Sequence, residues 1–185
     1  LRFYSGPDVE SDTVSPWFNT QWKEQTPDQP GQALSGLALP GPNPFIASDL
    51  TLLEGQDDHP SLLVDTPSFT AWHMQDARFN TPSVEWRVSL QNPTASYSAE
   101  EAVLTRLLAS WLNDSLNESL YPAWLAGQSF SAYPHSRGMT LSFSGWRDGQ
   151  TPLIEQAIEQ LKSAAITDGA FERVRYQLQR EWRNA

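Results

Sequence analysis

Residues 84–91 read Val-Glu-Trp-Arg-Val-Ser-Leu-Gln, so an apolar side chain stands at every second position. Successive side chains of a β-strand point to opposite faces of the sheet, and this period of two predicts a strand with one buried face. The polar positions, among them Glu85 and Arg87, would then face away from the core. We expect the core of the domain to form against the face that carries Trp86.

A long amphipathic helix follows this strand. Ser98 and Glu101 have the spacing of a capping box, in which the two side chains satisfy free amides at a helix start. Apolar residues then recur at intervals of three and four, which predicts one buried helix face; a hydrophobic ligand groove along this stripe is the less favoured alternative. We expect the helix to end or kink near Tyr121-Pro122, because proline lacks the amide that an interior turn needs. The apolar positions are Leu104, Leu107, Leu108, Trp111, Leu112, Leu116 and Leu120.

Two pairs of short segments predict β-hairpins. Residues 62–65 and 69–75 flank a Thr-Pro-Ser turn, and residues 128–133 and 139–146 flank a polar turn that contains proline and glycine. The first pair precedes the strand described above, and the second pair follows the long helix. Grouped strands of this kind favour a largely antiparallel sheet.

Two more helices complete the pattern. One begins at Thr151-Pro152, with proline at the first helical position, and the other is capped by Thr167 or Asp168. Amphipathic helices that follow grouped strands are typical of α+β domains. The predicted fold is therefore α+β, with a mostly antiparallel sheet and helices packed on one face.

The start of the chain differs in composition, because residues 1–60 hold 8 of the 14 prolines. Proline disfavours helices and central strands, so residues 1–50 are interpreted as an extended, packed inter-domain connector. Residues 1–4 resemble the end of a strand, and residues 51–185 form the predicted domain, which we expect to be incomplete at its C-terminus. Connector residues that should pack against a neighbouring surface are Trp17, Trp22, Pro42, Asn43 and Phe45.

Composition excludes several classes of function. The 185 residues include no cysteine, which excludes disulfides, thiolate metal sites and cysteine nucleophiles. The formal net charge of −10 would repel a polyanion, so we expect no nucleic-acid partner. No apolar run approaches the roughly 18 residues of a membrane span, so we expect no membrane partner. The lack of cysteine does not choose a compartment, so cytoplasm and periplasm both remain open.

The three histidines form no recognisable motif. His59, His73 and His135 are far apart, and the chain contains neither His-Glu-x-x-His nor His-x-x-Glu-His. Nucleophile elbows, P-loops and Gly-x-Gly-x-x-Gly sequences are also missing from the sequence. We therefore assign no catalytic, metal-binding or cofactor-binding residue.

Several segments together resemble the insulinase/pitrilysin family of zinc metallopeptidases. Residues 15–22, SPWFNTQW, and 39–47, LPGPNPFIA, resemble the segment that joins the two halves of these enzymes. Residues 120–127, LYPAWLAG, the pair Gly145-Trp146 and residues 166–172, ITDGAFE, resemble later family motifs. Their order along the chain is that of the family.

The resemblance implies the connector and the third of four related α/β-roll domains. The family's inverted zinc motif lies in the first domain, so Zn²⁺ is expected in the parent enzyme and no cofactor in this chain. The implied partners are a peptide substrate and the catalytic N-terminal half of the same chain, with this part lining the chamber that encloses the peptide. Within the family we favour the protease of pyrroloquinoline quinone biosynthesis over protease III-like enzymes.

Two other classes of function remain open. The chain could be a stand-alone binding or assembly module, such as an inactive subunit that pairs with an active peptidase. An independent enzyme is less favoured, because the sequence pairs no nucleophile with a base.

Overall fold

Contacts within the computed structural model divide the chain into two units, residues 1–40 and 41–185. The strand end predicted at residues 1–4 lies outside the described residues, and the domain boundary predicted after residue 50 stays a prediction. The structure describes residues 6, 8, 10–26, 36, 38–39, 41–163 and 165–184.

The first unit contains a short antiparallel hairpin that the sequence did not predict. Its strands are β1 (Thr13–Val14) and β2 (Gln21–Trp22). The turn is closed by the Ser15 amide, which donates to the Thr20 carbonyl at 2.8 Å. A local turn of this kind needs no apolar periodicity, so proline content alone did not reveal it.

The first strands of the second unit form the first predicted hairpin. Strands β3 (Ser61–Thr66) and β4 (Phe69–His73) pair antiparallel. The Thr66 hydroxyl accepts from the Phe69 amide at 3.0 Å and donates to the Phe69 carbonyl at 2.9 Å. The two strands therefore meet at the tight turn that the Thr-Pro-Ser sequence indicates.

A three-stranded antiparallel sheet forms the centre of the unit. Its strands are β5 (Ser83–Gln91), β6 (Ser129–His135) and β7 (Gly138–Trp146), in the order β5-β7-β6. The predicted strand at residues 84–90 and the second predicted hairpin are confirmed. Only residues 136 and 137 form the turn of that hairpin, because both strands extend further than predicted.

The register of this sheet separates an apolar face from a polar face. Trp86 pairs with Phe143, which in turn pairs with Phe130. The neighbouring row joins Arg87 to Ser142. Since adjacent residues of a strand point to opposite faces, Trp86, Phe130 and Phe143 lie on one side of the sheet, and Arg87 and Ser142 lie on the other.

Four α-helices accompany the sheet in the described part of the chain. They are α1 (Ala99–Asn117), α2 (Tyr121–Leu125), α3 (Gln150–Ser163) and α4 (Asp168–Arg183), and a single 3₁₀ turn at Arg147–Gly149 precedes α3. Among the described residues, none of these helices combines the length and apolar content required to cross a bilayer.

The starts of α1 and α4 follow the sequence, whereas α3 begins at Gln150, so that Pro152 is its third residue and not its first. The Ser98 hydroxyl accepts from the Glu101 amide at 3.4 Å, and Thr167 caps α4 by accepting from the Ala170 amide at 3.3 Å. The end of α1 differs, because the helix stops at Asn117 and Pro122 lies in the first turn of α2. Proline thus begins a new helix here, where its missing amide costs nothing.

One core lies between the apolar face of the sheet and the helices. It confirms the predicted α+β fold, because residues from all four of these helices and from strands β6 and β7 share one cluster. The buried residues include Trp111, Leu112, Leu116, Met139, Leu141, Phe143, Leu153, Ala157, Val174 and Leu178.

Candidate functional site

The histidines lie on separate elements. His73 on β4 faces Asp57, with 4.0 Å between Nδ1 and the carboxylate. His135 at the end of β6 lies 3.2 Å from the Ser89 hydroxyl, and its Nδ1 accepts from the Arg137 amide at 3.2 Å. No group of three or more His, Cys, Asp or Glu side chains within the described residues could hold a metal ion.

The residues predicted to pack as a connector have different environments. Phe45 is buried in the core of the second unit, and Asn43 is partly buried beside it. Pro42 is exposed, Trp17 is 87% exposed and Trp22 is 46% exposed. Whether the set packs against a neighbouring domain stays a prediction.

Asn43 and Phe45 attach the start of the second unit to α2. The Asn43 side chain donates from Nδ2 to the Pro122 carbonyl at 2.8 Å and accepts from the Phe45 amide at 3.0 Å. The asparagine therefore fixes a turn that directs the Phe45 ring inward. This contact joins two of the motifs that carry the family resemblance.

Asp148 holds the next part of the same segment. Its carboxylate accepts from the Ser48 amide at 2.7 Å, the Ser48 hydroxyl at 2.9 Å and the Asp49 amide at 3.0 Å. These hydrogen bonds to the charged form lower the pKa of Asp148, with the Asp49 and Ser48 amides as the main causes. Asp49 also pairs with Arg147 at 2.9 Å.

An open cleft of about 520 Å³ lies between the second half of α1, α2 and the start of β6. Leu116 and Leu153 form buried parts of its wall. The described residues that line it are Asn113, Leu116, Asn117, Leu120, Tyr121, Ala123, Trp124, Gln128, Ser129, Phe130 and Leu153.

Two aromatic rings form the outer wall of the cleft. Tyr121 and Trp124 stack with ring centroids 5.8 Å apart, and both rings are more than half exposed. Pro122 starts the short helix that brings them together. Gly127 ends this segment with a φ of +79°, and a Cβ there would stand 2.7 Å from Trp146 Nε1. Glycine is therefore required where the chain turns into β6.

The base of the cleft is rigid. Gln128, which is 1% exposed, donates from Nε2 to the Trp146 carbonyl at 3.1 Å and accepts from the Gln150 side chain. A Cβ at Gly149 would overlap the Gln128 amide, so the glycine leaves room for this buried side chain. The hydrogen bonds link β6, β7 and α3 directly below the cleft.

The opposite face of the sheet carries a polar cluster. Arg87 Nη1 donates to the Ser142 hydroxyl at 3.0 Å and to the Tyr133 hydroxyl at 3.4 Å, and Nη2 donates to Glu85 at 3.1 Å. The hydrogen bond to Glu85 is the main reason that the pKa of Arg87 is raised. This face also carries Ser89 and His135, whose hydroxyl and Nε2 lie 3.2 Å apart. Because His135 Nδ1 accepts from the Arg137 amide, the proton of the neutral ring lies on Nε2, which donates to the serine and does not act on it as a base.

Residues 3–185 match a family model described as the middle or third domain of peptidase M16. The chain belongs to the peptidase M16 family. This match and the relatives below support the insulinase/pitrilysin resemblance found in the sequence.

Three relatives illustrate the match. Insulin-degrading enzyme of Drosophila melanogaster is 30% identical over 179 residues, covering 95% of this chain and 17% of the enzyme. A Schizosaccharomyces pombe protein named as a zinc protease is 30% identical over 151 residues, covering 80% of this chain and 16% of its own. The crystal structure of pitrilysin aligns with a TM-score of 0.71 at 25% identity, covering 78% of this chain and 16% of that one. The M16 chain thus spans about a sixth of the length of these relatives.

Sequence reasoning did not favour the cleft of this M16 domain, because a ligand groove along the Leu and Trp stripe was the weaker of its two interpretations. The segment LYPAWLAG was noted only as a family motif, and the Leu and Trp stripe of α1 was assigned to the core. Trp111 and Leu112 are indeed buried, whereas Leu120 at the end of the stripe also lines the cleft. Leu116, before the break of the helix at Asn117, and Leu120, after it, both belong to the core cluster and line the cleft, so a leucine stripe does not distinguish the two environments.

Proposed function

We propose that this chain is a non-catalytic domain of a zinc metallopeptidase that processes or degrades peptides, and that it forms part of the wall around the substrate. The observation that carries the proposal is the match of residues 3–185 to the middle or third domain of the M16 family. Since the chain spans about a sixth of its relatives, peptide cleavage would be carried out by another part of a longer polypeptide.

The side chains of this domain do not fit a zinc ion. Catalytic zinc sites in proteins use about three protein ligands, whereas the described residues offer only pairs such as His73 and Asp57, 4.0 Å apart. A relative is named as a zinc protease, and the proposal places Zn²⁺ in the catalytic part of the longer polypeptide. The role of this chain is to bind the peptide, orient it and restrict its access to water.

The acidic side chains of this domain would give the wall around the substrate a preference for basic peptides. Residues 1–100 hold 13 acidic and 4 basic side chains, whereas residues 101–185 hold 9 and 8. An acidic surface raises the local concentration of basic peptides, and salt screens this attraction over about 10 Å. Residues 1–100 would therefore attract basic peptide substrates or the catalytic N-terminal half of the longer polypeptide.

The narrower assignment to pyrroloquinoline quinone biosynthesis stays a prediction. In that case the substrate would be a small precursor peptide. Cleavage of such a precursor by the longer polypeptide, compared with cleavage of an unrelated peptide of similar length, would separate this assignment from general peptide degradation.

The proposed function is tested by cleavage assays on the longer polypeptide and on this chain alone. We expect chelator-sensitive cleavage of a fluorogenic peptide by the longer polypeptide and none by the 185-residue chain. Reversal of several acidic charges in residues 1–100 should weaken the salt dependence of cleavage. Cleavage by this chain alone, or a longer polypeptide without peptidase activity, would refute the proposal.

A further inference from the structure

On the outer edge of β6, the main-chain groups of one residue are already hydrogen-bonded to α1, and those of another are free to bind. Asn113 of α1 donates from Nδ2 to the Ala132 carbonyl and accepts through Oδ1 from the Ala132 amide, both at 2.8 Å. Ala132 therefore directs its main-chain groups away from β7. In a regular ladder the residues two positions away point the same way, so Phe130 and Pro134 also face the edge.

Only one of these positions can accept an added strand. Pro134 has no amide to donate, and Ala132 is already paired with Asn113. Within the described part of the chain, Phe130 is the β6 residue whose amide and carbonyl both remain available on this edge. Phe130 lies in the wall of the cleft, so the open edge position and the cleft coincide.

The lining of the cleft indicates the chemistry of its ligand. Its polar members, apart from Tyr121, are amides and a hydroxyl, and none of the described lining residues is charged at neutral pH, although the chain carries a formal charge of −10. A charged side chain would lose its hydration there without gaining a partner of opposite charge. The Tyr121 and Trp124 rings offer faces on which an aromatic or large aliphatic group can pack.

We propose that the cleft binds a short extended peptide segment, which pairs with the main chain of Phe130 and places one large uncharged side chain against Trp124 and Leu120. Main-chain pairing at a strand edge gives affinity for any peptide, and an adjacent side-chain pocket gives selectivity. The inference rests on the proposed function. It adds that this part of the wall selects peptides with a large uncharged side chain.

The test is a titration of the isotopically labelled 185-residue chain, followed by NMR. The probe is the capped peptide Gly-Thr-Phe-Thr-Gly; its controls replace phenylalanine by alanine or methylate the phenylalanine nitrogen. We expect the amide signals of Ser129 and Phe130 to shift with the probe. Affinity should fall at least about tenfold for each control peptide, since one loses the ring contact and the other a main-chain hydrogen bond.

Matched tryptophan variants locate the site. Trp124→Ala should lower the affinity for the probe peptide by about tenfold, because the aromatic wall of the cleft is lost. Trp17→Ala removes another highly exposed tryptophan outside the cleft and should leave affinity unchanged. Both side chains are largely exposed, so both variants should keep the circular dichroism spectrum of the parent. Equal affinity for the phenylalanine and alanine peptides, or an unchanged affinity in Trp124→Ala, overturns the assignment.

The binding test and the cleavage test fail in different ways. Peptide binding at Phe130 in a polypeptide that cleaves nothing would uphold the cleft and refute the peptidase role. Cleavage by the longer polypeptide without probe-induced shifts at Phe130 would refute the cleft and leave the proposed function standing.

Discussion

Asn113 pairs with both main-chain polar groups of Ala132, through two hydrogen bonds of 2.8 Å. A carboxamide on a helix thus takes the place that a neighbouring strand would occupy at the edge of the sheet. Unpaired strand edges promote association with other chains, and buried polar groups require partners. The pair therefore protects the edge and fixes the position of α1 along β6.

Replacing Asn113 by alanine should destabilise the domain by about 1–3 kcal/mol, because the Ala132 amide and carbonyl lose their partners while α1 still shields them from water. Chemical denaturation would measure the loss. Asn117→Ala is the matched control, since this exposed asparagine lies one turn further along α1; its effect should stay within about 0.5 kcal/mol. Similar losses in the two variants would contradict the pairing.

Gly138 begins β7 with a φ of +147°, and a Cβ there would overlap the Leu90 carbonyl of the neighbouring strand. Gly138→Ala should therefore cost about 3 kcal/mol or more, from backbone strain together with a displaced strand. Gly169 lies in the first turn of α4 with open space around it. Gly169→Ala should be neutral or stabilising in the same denaturation assay, and an equal loss in both variants would disprove a position-specific effect.

Asp76 should titrate well below an ordinary aspartate. Side-chain and backbone hydrogen bonds from Arg78 lower the pKa of Asp76 from 3.8 to about 2. Because the folded-state pKa is depressed, the interaction is fully present above pH 3.8 and is lost as the pH falls toward 2. Carboxyl NMR should show this midpoint. Arg78→Gln should raise the pKa of Asp76 only part of the way back to 3.8, since the backbone amide of residue 78 remains. An unchanged midpoint in the variant would contradict the assignment.

Asp148 should control the mobility of the segment around Ser48. Its carboxylate accepts from the Ser48 and Asp49 amides, so Asp148→Ala should speed hydrogen exchange at both amides. Protection should also decline at low pH as the carboxylate, whose pKa is lowered by these bonds, becomes protonated. Asp76→Ala removes a distant carboxylate and serves as the control. Unaltered exchange at Ser48 in Asp148→Ala would show that other contacts hold the segment.

Patterns that repeat along the chain were predictable from the sequence. The alternation around Trp86 identified β5, and the Ser98 and Glu101 pair located the start of α1. The expected burial of the β5 face is only partial, because Trp86 is 50% exposed on an edge strand. Periodicity reports which side chains share a face; how far that face is covered depends on the rest of the structure.

Features that depend on a single distant contact could not be predicted. The Asn113 and Ala132 pair is separated by 19 residues, and the Asp148 contact to Ser48 by 100. An asparagine on a helix and an aspartate in a turn are ordinary surface residues in a sequence. The cleft was not favoured for the same reason, since it arises where α1 ends before α2 begins.

Phe45 gives the sharpest test of how the start of the second unit is attached. Its side chain is 4% exposed and belongs to the core cluster, whereas Phe18 is 84% exposed. Removing a buried phenylalanine ring loses its transfer free energy and leaves a cavity, so Phe45→Ala should cost about 3–5 kcal/mol. Phe18→Ala removes the same group from an exposed position and should change stability by no more than about 0.5 kcal/mol. Denaturant midpoints of the two variants measure the difference. A small effect at Phe45 would mean that the segment lies on the domain without anchoring it.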